Sequence, residues 1–171
     1  ATPQRLDGKG LGEWFDEMII ETSVAEQIED GYLSDYKIFA PTKPNLEGVK
    51  ISMGDYVKSE LAAMMGNAHL TGDVIKHWRK HALTMKTIVF AINIEHAMHV
   101  VQMCNDAGIP AAHLDGNTKI AERKERAMKF AKGELTVISN VGLMGEGYDL
   151  AAQTGIDVTI DCLVCLRPTE S

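Results

Sequence analysis

The side chains best suited to ligand chemistry lie in one segment, residues 136–150. A short apolar run ends there at Ser139 and Asn140, and a glycine-rich loop leads from it to the carboxylate of Asp149. The glycines of this loop are Gly142, Gly145 and Gly147. Parallel α/β sheets bind ligands outside the carboxyl ends of their strands, and glycine lets backbone N–H groups approach an anion closely. The segment therefore predicts a site for phosphate and ribose.

Alternating strand and helix patterns surround this segment and must position it. A continuous apolar strand is predicted over 86–92, and Asn93 is then the N-cap of a helix that runs to Ala107 before Gly108. Further strands are predicted at 111–114, 136–139 and 158–163, with a helix at 119–132. Such alternation over short loops predicts an α/β fold with a mostly parallel sheet of about five strands.

The patterns before residue 86 are weaker. Ser23 and Glu26 form a capping box that predicts a helix through Ile28, ended at Gly31. Strands are predicted at 17–22 and 35–40, and helices at 56–65 and 72–85.

Composition limits the class of protein. The 171 residues can bury one sizeable core, and the formal net charge of −7 argues against a generally basic nucleic-acid-binding surface. The three cysteines cannot all pair with one another, which fits a reducing, cytoplasmic location. The longest apolar run is far too short to span a bilayer, so no membrane partner is predicted. No metal site is predicted either, because Cys162 and Cys165 of the lone C-x-x-C would point to opposite faces of a strand.

Several segments together resemble the superfamily 2 helicases, the DEAD/DEAH-like ATP-driven motors. Residues 1–3 resemble the end of motif III, and residues 87–91 together with Asn93 resemble motif IV. Residues 115–118 together with Arg123 resemble the segment between motifs IV and V. Residues 136–150 resemble motif V, and residues 166–171 resemble the segment that leads into motif VI. The resemblance implies a RecA-like lobe of the P-loop NTPase type with three α/β/α layers. It places residues 1–30 in the tail of a preceding lobe and residues 31–171 in a second, C-terminal lobe. The chain starts without a methionine and stops before the Q-x-x-G-R-x-x-R of motif VI, so it is expected to be a fragment.

The resemblance also implies roles for individual residues. Gly145, Gly147 and Asp149 are expected to bind the nucleotide. Contacts to the DNA or RNA backbone are expected from Asn93, Gly116, Thr118, Arg123, Ser139 and Asn140. ATP and Mg would be held mainly by the N-terminal RecA-like lobe of the same protein, which is the other expected partner. No catalytic residue is assigned in this chain, because it has no G-x-x-x-x-G-K-[ST] loop.

Plainer roles stand beside these expectations. Asn93 and Asp149 could each act as a helix N-cap, and Ser139 and Asn140 could cap a turn at a polar strand end. Two other functional classes also stay open at this point. One is a Rossmann-like sugar-nucleotide transferase domain that holds a diphosphate on the same glycine loop, and the other is a non-catalytic module that binds nucleic acid or protein.

Overall fold

The computed structural model describes residues 9–17, 19, 22–40, 46–52, 55–65, 68–145 and 148–168. The strands are β1 (Ile51–Ser52), β2 (Asp55–Tyr56), β3 (Thr87–Phe90), β4 (Ala111–Leu114), β5 (Val137–Asn140) and β6 (Cys162–Cys165). The helices are α1 (Val24–Glu29), α2 (Lys58–Met65), α3 (Ala68–His81), α4 (Ile94–Asp106), α5 (Ile120–Ala131) and α6 (Leu150–Thr154).

Strands β3 to β6 form one parallel sheet in the order β4-β5-β3-β6, and β1 pairs with β2 in a small antiparallel hairpin. Consecutive strands are joined through helices, as parallel pairing requires. The predicted α/β fold is therefore confirmed, with four strands in the main sheet of the described part where about five were expected.

Two apolar cores cover the two faces of this sheet. Successive residues of a strand point to opposite faces, so Val89 packs in the core beneath α3 and α4 while Ile88 packs in the core beneath α5 and α6. Phe130 of α5 is completely buried in the second core, and burial of such a side chain contributes about 1.5–3 kcal/mol. The result is the three-layer α/β/α arrangement of a RecA-like lobe.

Local signals fixed several element boundaries. Ser23 and Glu26 form both bonds of the predicted capping box at α1, and Asn93 caps α4 by accepting a 2.8 Å hydrogen bond from the N–H of His96. Gly108 follows α4 with φ of +74°, the left-handed conformation expected of a residue that ends a helix.

The strand predictions near the ends of the chain were wrong. Glu17, Ile19 and Thr22 lie outside any strand, and residues 35–40 have no regular structure. The last strand occupies Cys162–Cys165, where 158–163 was expected. The segments 17–22 and 35–40 have an apolar pattern, but their described residues have no neighbouring strand with which to form hydrogen bonds. The last strand starts later than expected because its pairing with β3 begins at Cys162.

Candidate nucleotide and nucleic-acid site

All four strands of the main sheet are parallel, so their carboxyl ends lie along one edge. The predicted site residues follow these ends. Gly116 and Thr118 lie in the loop after β4, Gly145 lies in the loop after β5, and Asn93 follows β3. The structure thus brings the candidate residues of three separate segments to the same edge of the sheet.

The loop after β4, residues 115–118, is tied together by Asp115. Its Oδ1 accepts hydrogen bonds from the N–H of Asn117 at 2.9 Å, and from the N–H and hydroxyl of Thr118 at 2.7 and 2.8 Å. The carboxylate is nearly buried, which raises its pKa, but the bonds from Thr118 and His113 outweigh burial and hold the pKa below its ordinary value. Thr118 therefore orders the loop from within.

Arg123 holds the same loop from α5. Its Nη2 donates to the carbonyls of Asp115, Gly116 and Thr118 at 3.2, 3.4 and 3.3 Å. Its Nε is buried and has no hydrogen-bond partner among the described residues. This guanidinium is thus engaged with the loop backbone, and a contact between it and a phosphate stays a prediction.

His113, which sequence reasoning missed, connects this loop to β5. Its Nδ1 lies 3.1 Å from the carbonyl oxygen of Ser139, and its Nε2 lies 3.2 Å from Oδ2 of Asp115. The second contact is an ion-pair geometry and not a linear hydrogen bond, since Nε2 has no aligned acceptor in the part of the chain that is described. The sequence feature that could have identified His113 is a histidine on an otherwise apolar strand, two residues before Asp115.

Ser139 and Asn140 are fully buried at the end of β5. The amide of Asn140 donates from Nδ2 to the carbonyl of Val89 at 3.0 Å, and its Oδ1 accepts from the N–H of Met144 at 3.2 Å. The hydroxyl of Ser139 has no hydrogen-bond partner in the described structure. Asn140 therefore joins β3 to the glycine loop, and direct contact of either side chain with nucleic acid stays a prediction.

The glycine loop itself presents backbone to solvent. Gly142 adopts a φ of +63°, which favours glycine. Gly145 and, in the loop after β4, Gly116 are exposed and do not have positive φ, and a Cβ added to either would meet nothing within 4 Å. Folding of the described chain does not demand glycine at these two positions. Gly147 lies outside the described residues.

Asp149 and Asn93 both cap helices. Oδ1 of Asp149 accepts a 2.9 Å hydrogen bond from the N–H of Ala152 at the start of α6. Asp149 is exposed, and no contact in the described ranges engages its Oδ2, so that oxygen can accept a second bond from a ligand. The cap role and the expected contact with ribose are therefore compatible.

A separate unit covers the other half of the sheet edge. Leu61 of α2 and Val49 bury Ile92, which follows β3. Arg167, which follows β6, forms an ion pair with Asp55 of the β1–β2 hairpin. The ends of β3 and β6 are therefore shielded by residues 46–52 and 55–62, whereas the described parts of the loops after β4 and β5 stay open.

No three His, Cys, Asp or Glu side chains in the described ranges converge in a way that could hold a metal ion. Among the helices whose residues are described, none has the length and apolar character needed to cross a membrane.

Comparison with known proteins gives a family and several relatives. A model of the helicase conserved C-terminal domain matches residues 70–170. The 51.5 kDa protein of a Lactococcus phage (isolate 7-9) is 32% identical over 171 residues, which cover 100% of this chain and 36% of the phage protein. A Saccharomyces cerevisiae protein provisionally named ATP-dependent helicase IRC3 is 26% identical over 175 residues, which cover 100% of this chain and 24% of the yeast protein.

A solved structure is also similar. The Pyrococcus furiosus Hef helicase domain superposes with a TM-score of 0.43 at 22% identity, over 61% of this chain and 27% of that one. The chain spans 36% of the phage relative and 24% of the yeast relative, so it corresponds to one part of each.

Proposed function

The chain belongs to the helicase conserved C-terminal domain family, and from this premise we propose that it works as the second lobe of an ATP-dependent helicase or translocase. In this role it contacts the backbone of a DNA or RNA strand and completes an ATP site together with the first lobe. The observation that carries the proposal is the pairing of two open polar loops at adjacent strand ends, held to each other through His113. The two other functional classes, the sugar-nucleotide transferase and the interaction module, have no observation in their favour.

Backbone amides are the proposed contacts to the strand. No hydrogen bond in the described part of the chain engages the N–H of Gly116, Gly142 or Gly145, and all three residues are exposed. Amides presented in this way bind anions, and they recognise a phosphate without reading the base. Asn93 lies at the same edge and adds an amide side chain to this surface.

The nucleotide would contact Gly145, Gly147 and Asp149 from one side. ATP and Mg would be held mainly by the N-terminal RecA-like lobe, which carries the phosphate-binding loop in the parent protein. The domain boundary near residue 30 and the cytoplasmic location stay predictions. Phosphoryl transfer needs several groups positioned at once, so this chain alone should hydrolyse no ATP above a buffer control.

Strand binding tests the proposal directly. Fluorescence anisotropy with labelled single-stranded DNA and RNA oligonucleotides should give saturable binding whose affinity depends only weakly on salt, because uncharged amides neutralise no phosphate. Sugar nucleotides should not compete. Absence of binding to both oligonucleotides at low salt, or displacement by a sugar nucleotide, would contradict the proposed function.

Two glycine variants sharpen the test. Gly116→Ala adds a methyl group in open space, so stability should change by less than about 0.5 kcal/mol. Close approach of a phosphate would be hindered, and affinity should fall by about fivefold to tenfold if one hydrogen bond is lost. Gly12→Ala is the matched control, because a Cβ there also meets nothing within 4 Å and the residue lies far from these loops in sequence. Equal affinity of the two variants would argue against contact at Gly116.

A further inference from the structure

His113 lies between the two open loops of the proposed strand-binding surface. It stands opposite Ser139 in the parallel register of β4 and β5. From there its ring reaches both the end of β5 and the carboxylate of Asp115, which orders the loop after β4. One side chain therefore links the two open loops of the proposed strand-binding surface.

Both atoms facing the ring are acceptors. A carbonyl oxygen can only accept, and the ionised carboxylate of Asp115 likewise offers no proton. Nδ1 of the ring faces the carbonyl of Ser139, and Nε2 lies 3.2 Å from Oδ2 of Asp115 on the other side. The two nitrogens thus reach two oxygens on opposite sides of the ring, and a side chain that reaches in one direction only would leave one of the two loops unattached.

Other charges support this arrangement. The guanidinium of Arg126 donates to the backbone carbonyl of His113 and is itself paired with Glu122. Arg123 donates to the carbonyl of Asp115. Arg123 and Arg126 of α5 therefore hold the backbone at the end of β4 in place. This fixes the position of the His113 ring between the two loops.

We propose that His113 is a positioning residue that keeps the loop after β4 and the end of β5 at a fixed separation, so that both contact neighbouring phosphates of one strand. This inference rests on the proposed function, because a fixed separation of the two loops matters for function only if both loops bind a strand. The bridge itself can be tested without any ligand. If the two loops already have the right separation in the free protein, less conformational entropy is lost when the strand binds. Such preorganisation strengthens affinity.

The first measurement is hydrogen exchange in the free chain. His113→Gln keeps an amide NH₂, but both of its donors are on one nitrogen, so it cannot reach the two oxygens that lie on opposite sides of the ring. The amides of Asn117 and Thr118, which donate to Asp115, should exchange about tenfold faster when its carboxylate loses the contact with the ring. Amides within β3 should be unchanged. Unaltered exchange at 117 and 118, or equal acceleration throughout the sheet, would overturn the positioning role.

The second measurement is strand binding by the same variant. Affinity should fall about tenfold while its dependence on salt stays the same, because no phosphate contact is removed. His99→Gln is the matched control, since His99 is exposed on α4. His113→Leu removes both contacts of the ring and should loosen the same two amides, which covers the case in which His113→Gln does not fold.

The two proposals fail in different ways. If the unaltered chain binds no strand but His113→Gln still loosens residues 117 and 118, the bridge stands and the proposed function is wrong. If the chain binds a strand and His113→Gln binds it equally well, the proposed function stands and the positioning role is wrong.

Discussion

Asn140→Ala tests whether a residue expected to contact nucleic acid instead holds the fold together. Asn140 is completely buried, and its two hydrogen bonds end on the carbonyl of Val89 and the N–H of Met144, which are buried residues themselves. Truncation leaves both groups without this partner. A buried group left unsatisfied costs about 1–3 kcal/mol, so the variant should lose about 2–4 kcal/mol of the free energy of unfolding.

Equilibrium unfolding in urea, followed by circular dichroism and by tryptophan fluorescence, measures this loss. The midpoint should fall while the slope with denaturant stays the same, provided that the two probes coincide. Asn117→Ala is the control, because Asn117 is exposed and such a change should stay within about 0.5 kcal/mol. A loss below about 1 kcal/mol for Asn140→Ala would show that its amide is not the link between β3 and the glycine loop.

Three further predictions concern the core and its titrating groups. Trp78→Phe removes the 2.7 Å bond from the indole N–H to the hydroxyl of Thr87 and should lower the free energy of unfolding by about 1–2 kcal/mol; an unchanged urea midpoint would contradict this. The lowered pKa of Asp115 stabilises the fold above the ordinary value of 3.8, and this stability is lost as pH falls through the lowered pKa. The unaltered chain should therefore lose more stability than Asp115→Asn between about pH 4 and pH 2, and parallel losses would refute the link. Burial raises the pKa of Cys104 to about 11, so Ellman's reagent should label the exposed Cys165 first, and equal labelling rates would disagree with this.

The fold could be predicted wherever a local signal carried enough information. The family match confirms the predicted resemblance to the C-terminal domain of helicases. The strand at 111–114 was placed correctly, and the capping residues Ser23 and Asn93 fixed helix starts, because a cap depends on residues only three positions apart. Residues 35–40 were misread, since an apolar run forms a strand only beside a partner and Ile38 is 79% exposed.

The site was less predictable because its geometry depends on distant partners. The positions along the sheet edge followed from the motifs. The burial of Ser139 and Asn140 did not, since it depends on neighbouring strands and on both helix layers. The role of His113 depends on a carbonyl 26 residues away in the chain. No periodicity within one segment reports such a contact.

The side chains near the open loops mainly serve the loops themselves. The side chains of Thr118, Arg123 and Asn140 each form a hydrogen bond with the chain's own backbone. This leaves backbone N–H groups at exposed glycines as the contacts that we propose for a strand. Amide contacts add no formal charge, so a net charge of −7 is compatible with the proposed phosphate contacts. They also carry no base preference, as the proposed role of a lobe that moves along a strand requires.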